Sequence, residues 1–206
     1  MLERISVRER KDLGIAWLAL ALAFTLALVG GFSATGVHLG TAALFFLLSL
    51  ITVGVGFVLH ELAHKFTAMR YGYWAEFQKD NQMLLVAVAI AALVGVVFAA
   101  PGATMIYGPS LSKRENGVIS VAGPVTNLLL AIPFGLLFIG GSMFDLGGFV
   151  MLVGAVGVKI NAMLAAFNML PIGPLDGKKV LAWNPVIFVA VIAVSFVLLF
   201  GALFYL

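Results

Sequence analysis

The sequence predicts an all-α polytopic membrane protein with about five to six transmembrane helices and a re-entrant or extended segment near residues 83–106. Of its 206 residues, 63% are hydrophobic and 10% are charged, and the mean hydropathy is +1.14. These values exclude an ordinary soluble domain. Lys and Arg cluster at the ends of the apolar runs, which is typical of topology signals. We therefore expect a lipid bilayer around the chain and no nucleic-acid partner.

The first two helices are predicted from the lengths of the first two apolar runs. Residues 1–12 are charged, and Ser6 with Glu9 fits a capping box for the first helix. The first transmembrane helix then covers 13–32 and is broken by the glycine-rich stretch 30–36, and the second covers 41–69. Basic and aromatic residues follow the second helix at positions 70–80, which indicates a cytoplasmic membrane interface.

Residues 83–106 allow two interpretations. The apolar run 83–100 is at the lower length limit for a span, so an ordinary additional helix is one of them. A full crossing would put the later acidic motif on the opposite side of the membrane from the histidine motif of the second helix. We therefore favour a short or re-entrant helix followed by an extended piece at 98–106, whose free backbone groups could pair with an extended substrate.

Three further transmembrane helices complete the prediction, at residues 118–139, 149–170 and 185–206. The loop 140–148 contains no Lys or Arg, as expected of an outer loop. The amino terminus and the polar motifs then face the cytoplasm of a multi-pass cell-membrane protein. We expect a single membrane-embedded domain over 1–206, with its core at about 41–180.

The end of the second helix carries His60-Glu61-Leu62-Ala63-His64. His60 and His64 lie one helical turn apart on one face, where two imidazoles can bind one zinc ion, and Glu61 can accept a proton from water beside it. The alternative is a chance motif on a soluble surface, but polar residues in an apolar helix are costly and indicate a role. His38 lies about a membrane thickness away along the helix and is expected to be solvated.

The third ligand of a catalytic zinc must be a carboxylate, because the chain has no cysteine and only three histidines. The other acids lie at the amino terminus, in charged loops or in the outer loop. Asp176 alone follows a span that returns to the side of His64, in a turn shaped by Pro171, Pro174 and Gly177. We expect one Zn²⁺ per chain, bound by His60, His64 and Asp176 with one position open. The alternative for Asp176 is capping of the following short helix.

Three asparagines lie on the later helices. Asn161 and Asn168 are seven residues apart and share one helix face, and such a polar stripe faces protein or water. Asn168 is the candidate donor to the oxyanion of a tetrahedral intermediate, and Asn161 a candidate site-lining residue. Asn127 is either a site-lining residue or a hydrogen-bonding contact between helices. With Glu61 as general base, the predicted reaction is hydrolysis of a peptide bond.

These motifs resemble the site-2 protease family of intramembrane zinc metalloproteases. The resemblance rests on residues 60–64, on Asn168-x-x-Pro171-x-x-Pro174-Leu175-Asp176-Gly177, and on Gly123-Pro124 with Asn127. It covers about three helices and the loops that join them, and 71–77 and 99–103 look like archaeal members. It implies His60, His64 and Asp176 as ligands, Glu61 as base, and cleavage of transmembrane protein substrates within or near the bilayer. This chain lacks the regulatory domains of larger relatives, so it is either a minimal form or a truncated core.

Two other classes of protein contain such residues. A membrane zinc transporter needs acidic or polar residues on several helices along a path, and the acids within the predicted spans are few. A non-catalytic scaffold that binds zinc leaves Glu61 without a function. We therefore expect a metalloendopeptidase, with its oligomeric state left open.

Overall fold

A computed structural model describes residues 4–31, 38–95, 97 and 101–206. Within these ranges the chain forms seven helices and two strands. Their bounds are α1 Val7–Leu28, α2 Leu39–Arg70, β1 Trp74–Lys79, α3 Asn81–Val94, β2 Gly102–Tyr107, α4 Lys113–Met143, α5 Gly148–Asn168, α6 Asp176–Trp183 and α7 Pro185–Tyr205.

Five of these helices, α1, α2, α4, α5 and α7, are long and apolar enough to cross a membrane. The prediction of a helical polytopic membrane protein is thereby confirmed. The helix α3 has 14 residues, so it is about 21 Å long and falls short of a ~30 Å hydrocarbon core.

The segment near 83–106 forms a short helix followed by an extended piece, as predicted. Asp80 caps α3 by accepting hydrogen bonds from the backbone of Gln82 and Met83, and Gly95 ends it with a φ of 75°. The strand β2 then pairs with β1 in a two-stranded sheet. The strand β1 was not predicted from the sequence, and residues 98–100 of the predicted extended piece lie outside the described ranges.

The described chain divides into two compact units. The first comprises 1–58 and 76–105, and the second comprises 59–75 and 106–206. In the first unit, Ser6 caps α1 by accepting a hydrogen bond from the Glu9 backbone, which is one half of the predicted capping box. The buried Glu9 carboxylate accepts a hydrogen bond from the backbone N–H of Phe77 at 3.1 Å, and the Trp17 indole donates to the Leu50 carbonyl at 3.0 Å.

In the second unit, α4 and α5 pack closely because glycines lie between them. A Cβ atom on Gly154 would lie 2.4 Å from the backbone nitrogen of Phe138, and one on Gly157 would lie 2.1 Å from the ring of Phe134. Small residues of this kind allow membrane helices to approach each other. The close approach brings polar side chains of α4 and α5 within hydrogen-bonding distance of each other.

Two local features position the residues that were singled out from the sequence. The end of α2 is held beside the start of α4 by a buried cluster of Ala68, Ala75 and Ile119. Between α5 and α6, the turn 169–175 contains two prolines, and Gly177 packs so tightly that a Cβ atom there would lie 2.1 Å from the Met169 carbonyl oxygen. This turn ends with Asp176 as the first residue of α6.

Candidate metal centre

The two histidines of α2 present their rings side by side, as their four-residue spacing predicts. The ring centroids of His60 and His64 lie 4.7 Å apart in an edge-to-face arrangement. Both residues are buried, at 5% and 8% exposed. Their Nε2 atoms point towards a common carboxylate oxygen, the Oδ2 atom of Asp176, at 3.5 Å from His60 and 3.1 Å from His64.

These three residues form a group whose ligand atoms all lie within 4.8 Å of one another. Ligand atoms around a tetrahedral zinc ion with bonds of ~2.0–2.1 Å are about 3.3–3.4 Å apart. The observed 3.1 and 3.5 Å lie on either side of this value. Two imidazoles and a carboxylate also form a donor set that zinc uses in hydrolytic sites. The residues therefore fit a zinc ion.

Hydrogen bonds on the far side of each ring free the Nε2 atoms for a metal. The Nδ1 atom of His64 lies 2.8 Å from the backbone carbonyl of Ile119, and that of His60 lies 2.5 Å from the Oδ1 atom of Asn127. Both partners are oxygen acceptors, so each Nδ1 carries the hydrogen. Metal-ligating histidines usually have such a partner, which fixes the ring and its tautomer.

Asp176 is 8% exposed and begins α6, whose N-cap residue is Leu175. The carboxylate therefore does not cap this helix, so the alternative role of Asp176 as a helix cap is wrong. Burial alone raises the pKa of the Asp176 carboxyl, but the nearby imidazoles of His64 and His60 outweigh it and hold that pKa below its usual range. The carboxylate is thus ionised at neutral pH, the form in which it binds metals.

Of the remaining predicted residues, Glu61, Asn127 and Asn161 lie beside this group, whereas the described contact of Asn168 is within its own helix. Glu61 is buried and lies next to His60 in α2. Asn127 and Asn161 are fully buried behind His60 and bond to each other at 3.0 Å. The amide of Asn168 donates one hydrogen to the Leu164 carbonyl of its own helix at 2.9 Å, which leaves its second amide hydrogen for another acceptor.

Two further residues contact the proposed ligands and were not predicted from the sequence to do so. Gly123 was named from the sequence only as part of the family resemblance, but a Cβ atom there would lie 2.4 Å from Nε2 of His64 and 2.5 Å from Nε2 of His60. Lys179 places its Nζ atom 3.6 Å from Oδ1 of Asp176, the oxygen that does not face the histidines. Helical spacing could have indicated both positions. Gly123 lies four residues before Asn127, and Lys179 lies three residues after Asp176, so each pair shares one face of a helix.

Fold and site together define a polytopic helical membrane protein with a buried His-His-Asp group. Comparison with known proteins gives its family. The chain is 42% identical over 188 residues to "Putative zinc metalloprotease MJ0611" of Methanocaldococcus jannaschii. The aligned region covers 91% of this chain and 91% of that protein. It is 28% identical to "Zinc metalloprotease MJ0392" of the same organism over 85% of this chain and 44% of that protein. It is 29% identical to "Putative zinc metalloprotease YwhC" of Bacillus subtilis over 64% of this chain and 66% of that protein.

No family model matches the chain, and no solved structure matches it significantly. The similarity to the first of these relatives extends over nearly the whole of both chains. The chain therefore belongs to the site-2 protease family of zinc metalloproteases, and the resemblance seen in its motifs is confirmed.

Proposed function

We propose that the protein is an intramembrane zinc metalloprotease that hydrolyses peptide bonds of transmembrane protein substrates. The observation that carries the proposal is the convergence of the His60, His64 and Asp176 ligand atoms within 4.8 Å, in a chain whose described part includes five membrane-length helices. The names of the relatives support zinc and proteolysis. His60 and His64 through Nε2, and Asp176 through Oδ2, would bind one Zn²⁺ per chain.

Zinc, when bound, supplies a Lewis acid that acidifies water and polarises a substrate carbonyl. The protein supplies the proton transfers. A carboxylate oxygen of Glu61 accepts the proton of the attacking water and then passes it to the nitrogen of the leaving amine. Glu61 is suited to this task because it is buried beside His60, where bulk water does not compete for the proton.

The developing oxyanion requires a hydrogen-bond donor. Asn168 is our candidate, because one of its two amide hydrogens is held by the Leu164 carbonyl and the other remains for the substrate. The first bond fixes the plane of the amide, so that the second hydrogen is oriented before the substrate arrives. A donor that is fixed in this way loses little entropy in the transition state.

The distribution of buried ionisable residues favours a protease over a zinc transporter. In the ranges that the structure describes, the buried charged or titratable side chains are Glu9, Lys65 and the four residues of the site, His60, Glu61, His64 and Asp176. A transport path needs polar groups at several depths along the membrane. Here four of these six side chains belong to one site, as hydrolysis at one place requires.

The proposed orientation places the amino terminus and the site on the cytoplasmic side of the cell membrane. Basic residues follow α2 and lie in the first turns of α4 and α6, whereas residues 140–148, where α4 ends and α5 begins, include no Lys or Arg. The positive-inside rule assigns the basic ends to the cytoplasm. Substrates would then be membrane-spanning proteins that the site meets within the bilayer, which corresponds to regulated intramembrane proteolysis.

The proposal is tested with the Glu61→Gln variant in a purified, zinc-loaded preparation and a helical transmembrane peptide as substrate. We expect unchanged zinc content and cleavage reduced by about 10²–10⁴-fold, because the amide cannot accept the proton. Asp145→Asn is the matched control, since Asp145 is exposed and asparagine tolerates its φ of 49°. Undiminished cleavage by Glu61→Gln rules out the proposed base, and wild-type zinc flux into vesicles without cleavage supports the transporter instead.

A further inference from the structure

The helix α5 carries a lysine in the middle of a membrane-length segment. Lys159 is the twelfth of the 21 residues of α5, so its Cα atom lies about 16.5 Å from the first residue of the helix and about 13.5 Å from the last. In a hydrocarbon core ~30 Å thick, these distances place it close to the midplane. The four-carbon stem of a lysine is too short to carry its ammonium group from there to either headgroup region. A charge at this depth is costly and calls for a partner.

The chain itself does not supply that partner. Across the ranges that the structure describes, the Lys159 side chain makes no hydrogen bond, ion pair or ring contact, and it is partly exposed. Lys65 shows how the same fold accommodates a lysine. That residue is 0% exposed, and its Nζ atom lies 5.5 Å from the centre of the Trp74 ring. The ammonium group of Lys159 therefore requires a partner from outside the described chain.

Lys159 points away from the side of α5 that leads to the metal centre. Asn161 marks that side, because its side chain accepts a hydrogen bond from Asn127 of α4 at 3.0 Å. Lys159 comes two residues earlier, about 200° around the helix from Asn161. It shares its own side of α5 with four apolar residues. We call these five residues, all of them partly exposed, the lysine stripe: Leu152, Val156, Lys159, Met163 and Phe167.

The partner of Lys159 must be an anion held within the hydrocarbon core. Lipid phosphates lie in the headgroup region, and soluble anions do not enter hydrocarbon. A second copy of this chain does not fit either. In the long helices, every acidic residue except Glu61 lies within six residues of a helix start, and Glu61 is buried beside His60. The remaining source is an Asp or Glu in a transmembrane helix of another protein.

We propose that the lysine stripe is a docking surface for a transmembrane helix of another protein that carries a carboxylate at mid-membrane depth. The apolar residues of the stripe pack against this helix, and Lys159 pairs with its carboxylate. The pair specifies the partner, because a helix without the carboxylate, or with one at another depth, leaves the lysine unpaired in hydrocarbon. This surface is separate from the proposed proteolysis, since it lies on another side of α5 and needs no zinc.

The test measures binding of transmembrane peptides to the protein in phosphatidylcholine vesicles by energy transfer. The chain has no cysteine, so a dye can be attached through Phe144→Cys, a 72% exposed position shortly before α5. Glu61→Gln is present throughout, so that no peptide is cut.

Four leucine-alanine peptides are compared. Three carry Glu, Gln or Leu at the centre, and the fourth carries Glu seven residues from the centre, which keeps the helix face and shifts the depth by about 10 Å. We expect the peptide with the central Glu to bind about three- to tenfold more tightly than the other three.

Variants of Lys159 show whether this preference comes from its charge. Lys159→Met should bind all four peptides alike, and Lys159→Arg should keep the preference for the central Glu. Lys159→Glu should reverse it and bind a peptide with a central Lys most tightly. Lys178→Met is the matched control, because it removes an exposed positive charge outside the stripe. It should bind the four peptides as the parent protein does.

A second measurement needs no peptide. Because Lys159 is unpaired in the free chain, Lys159→Leu should unfold in detergent at the same temperature as the parent protein or at a higher one. A lower Tm would show that Lys159 is held within its own chain and would overturn the proposal. Equal binding of the Glu and Gln peptides, or a Glu preference that survives in Lys159→Met, would also overturn it. Energy transfer between two labelled copies that disappears in Lys159→Met would assign the stripe to a second copy instead.

Discussion

Replacement of Gly123 by alanine tests the geometry of the metal centre most severely. The added Cβ atom would lie 2.4 Å from Nε2 of His64 and 2.5 Å from Nε2 of His60, about 1 Å inside the 3.4 Å at which ordinary contact begins. The methyl group thus enters the space that both ligand atoms face. Because alanine favours helix by about 1 kcal/mol over glycine, the variant should remain folded.

The expected size of this effect follows from the hydrogen bonds that the displaced rings lose. To escape the methyl group, His60 must leave Asn127 and His64 must leave the Ile119 carbonyl, which lie 2.5 Å and 2.8 Å away. At about 1 kcal/mol each, these bonds account for roughly 30-fold in affinity. Displacement of the ligand atoms adds to this, so we expect zinc affinity to fall by at least about 100-fold.

The assay is chelator competition for zinc in detergent, with Gly135→Ala as the matched control. Gly135 lies in the same helix, and a Cβ atom there would meet only Val158 at an ordinary 3.8 Å. Gly135→Ala should therefore bind zinc as the wild type does. If Gly123→Ala also bound zinc with wild-type affinity, the rings could not converge on the point that the structure gives them.

Two further predictions concern the carboxylate ligand and its neighbour. Asp176→Ala should lose stoichiometric zinc, measured by metal analysis after dialysis, whereas Asp145→Asn at an exposed position should keep it. Undiminished zinc in Asp176→Ala would remove Asp176 from the ligand set. Lys179→Met should change zinc affinity by about tenfold or less, because the Lys179 side chain is 40% exposed and water screens its charge. The exposed Lys178→Met is its control, and a loss as large as that of Asp176→Ala would contradict a secondary role for Lys179.

The sequence predicted the helices well because apolar length is a strong signal in a membrane protein. Three of the five long spans, α2, α5 and α7, lie within two residues of their predicted bounds. The first span lies at 7–28 where 13–32 was predicted, and the fourth helix is longer than predicted, at 113–143 where 118–139 was expected. The pairing of β1 with β2 was not predicted. Residues 74–79 alternate poorly in polarity, and their aromatic and basic side chains fit a membrane interface equally well.

In the candidate site, the three proposed ligands could be predicted from the sequence, whereas the contacts around them could not. The pairing of His60 with His64 follows from helix geometry, and the choice of Asp176 followed from elimination and topology, so the sequence was sufficient to predict this group. The contacts of Asn127 and Gly123 depend on the depth to which α4 packs beside α2. That depth is set by long-range packing, which no local spacing encodes.

The central claim is that one zinc ion is held by His60, His64 and Asp176. A crystal structure of the zinc-loaded protein with anomalous scattering measured at the zinc edge tests it directly. We predict one peak per chain, at ~2.0–2.2 Å from Nε2 of both histidines and from a carboxylate oxygen of Asp176. A peak on other side chains, or one bound by the two histidines without Asp176, would contradict the claim.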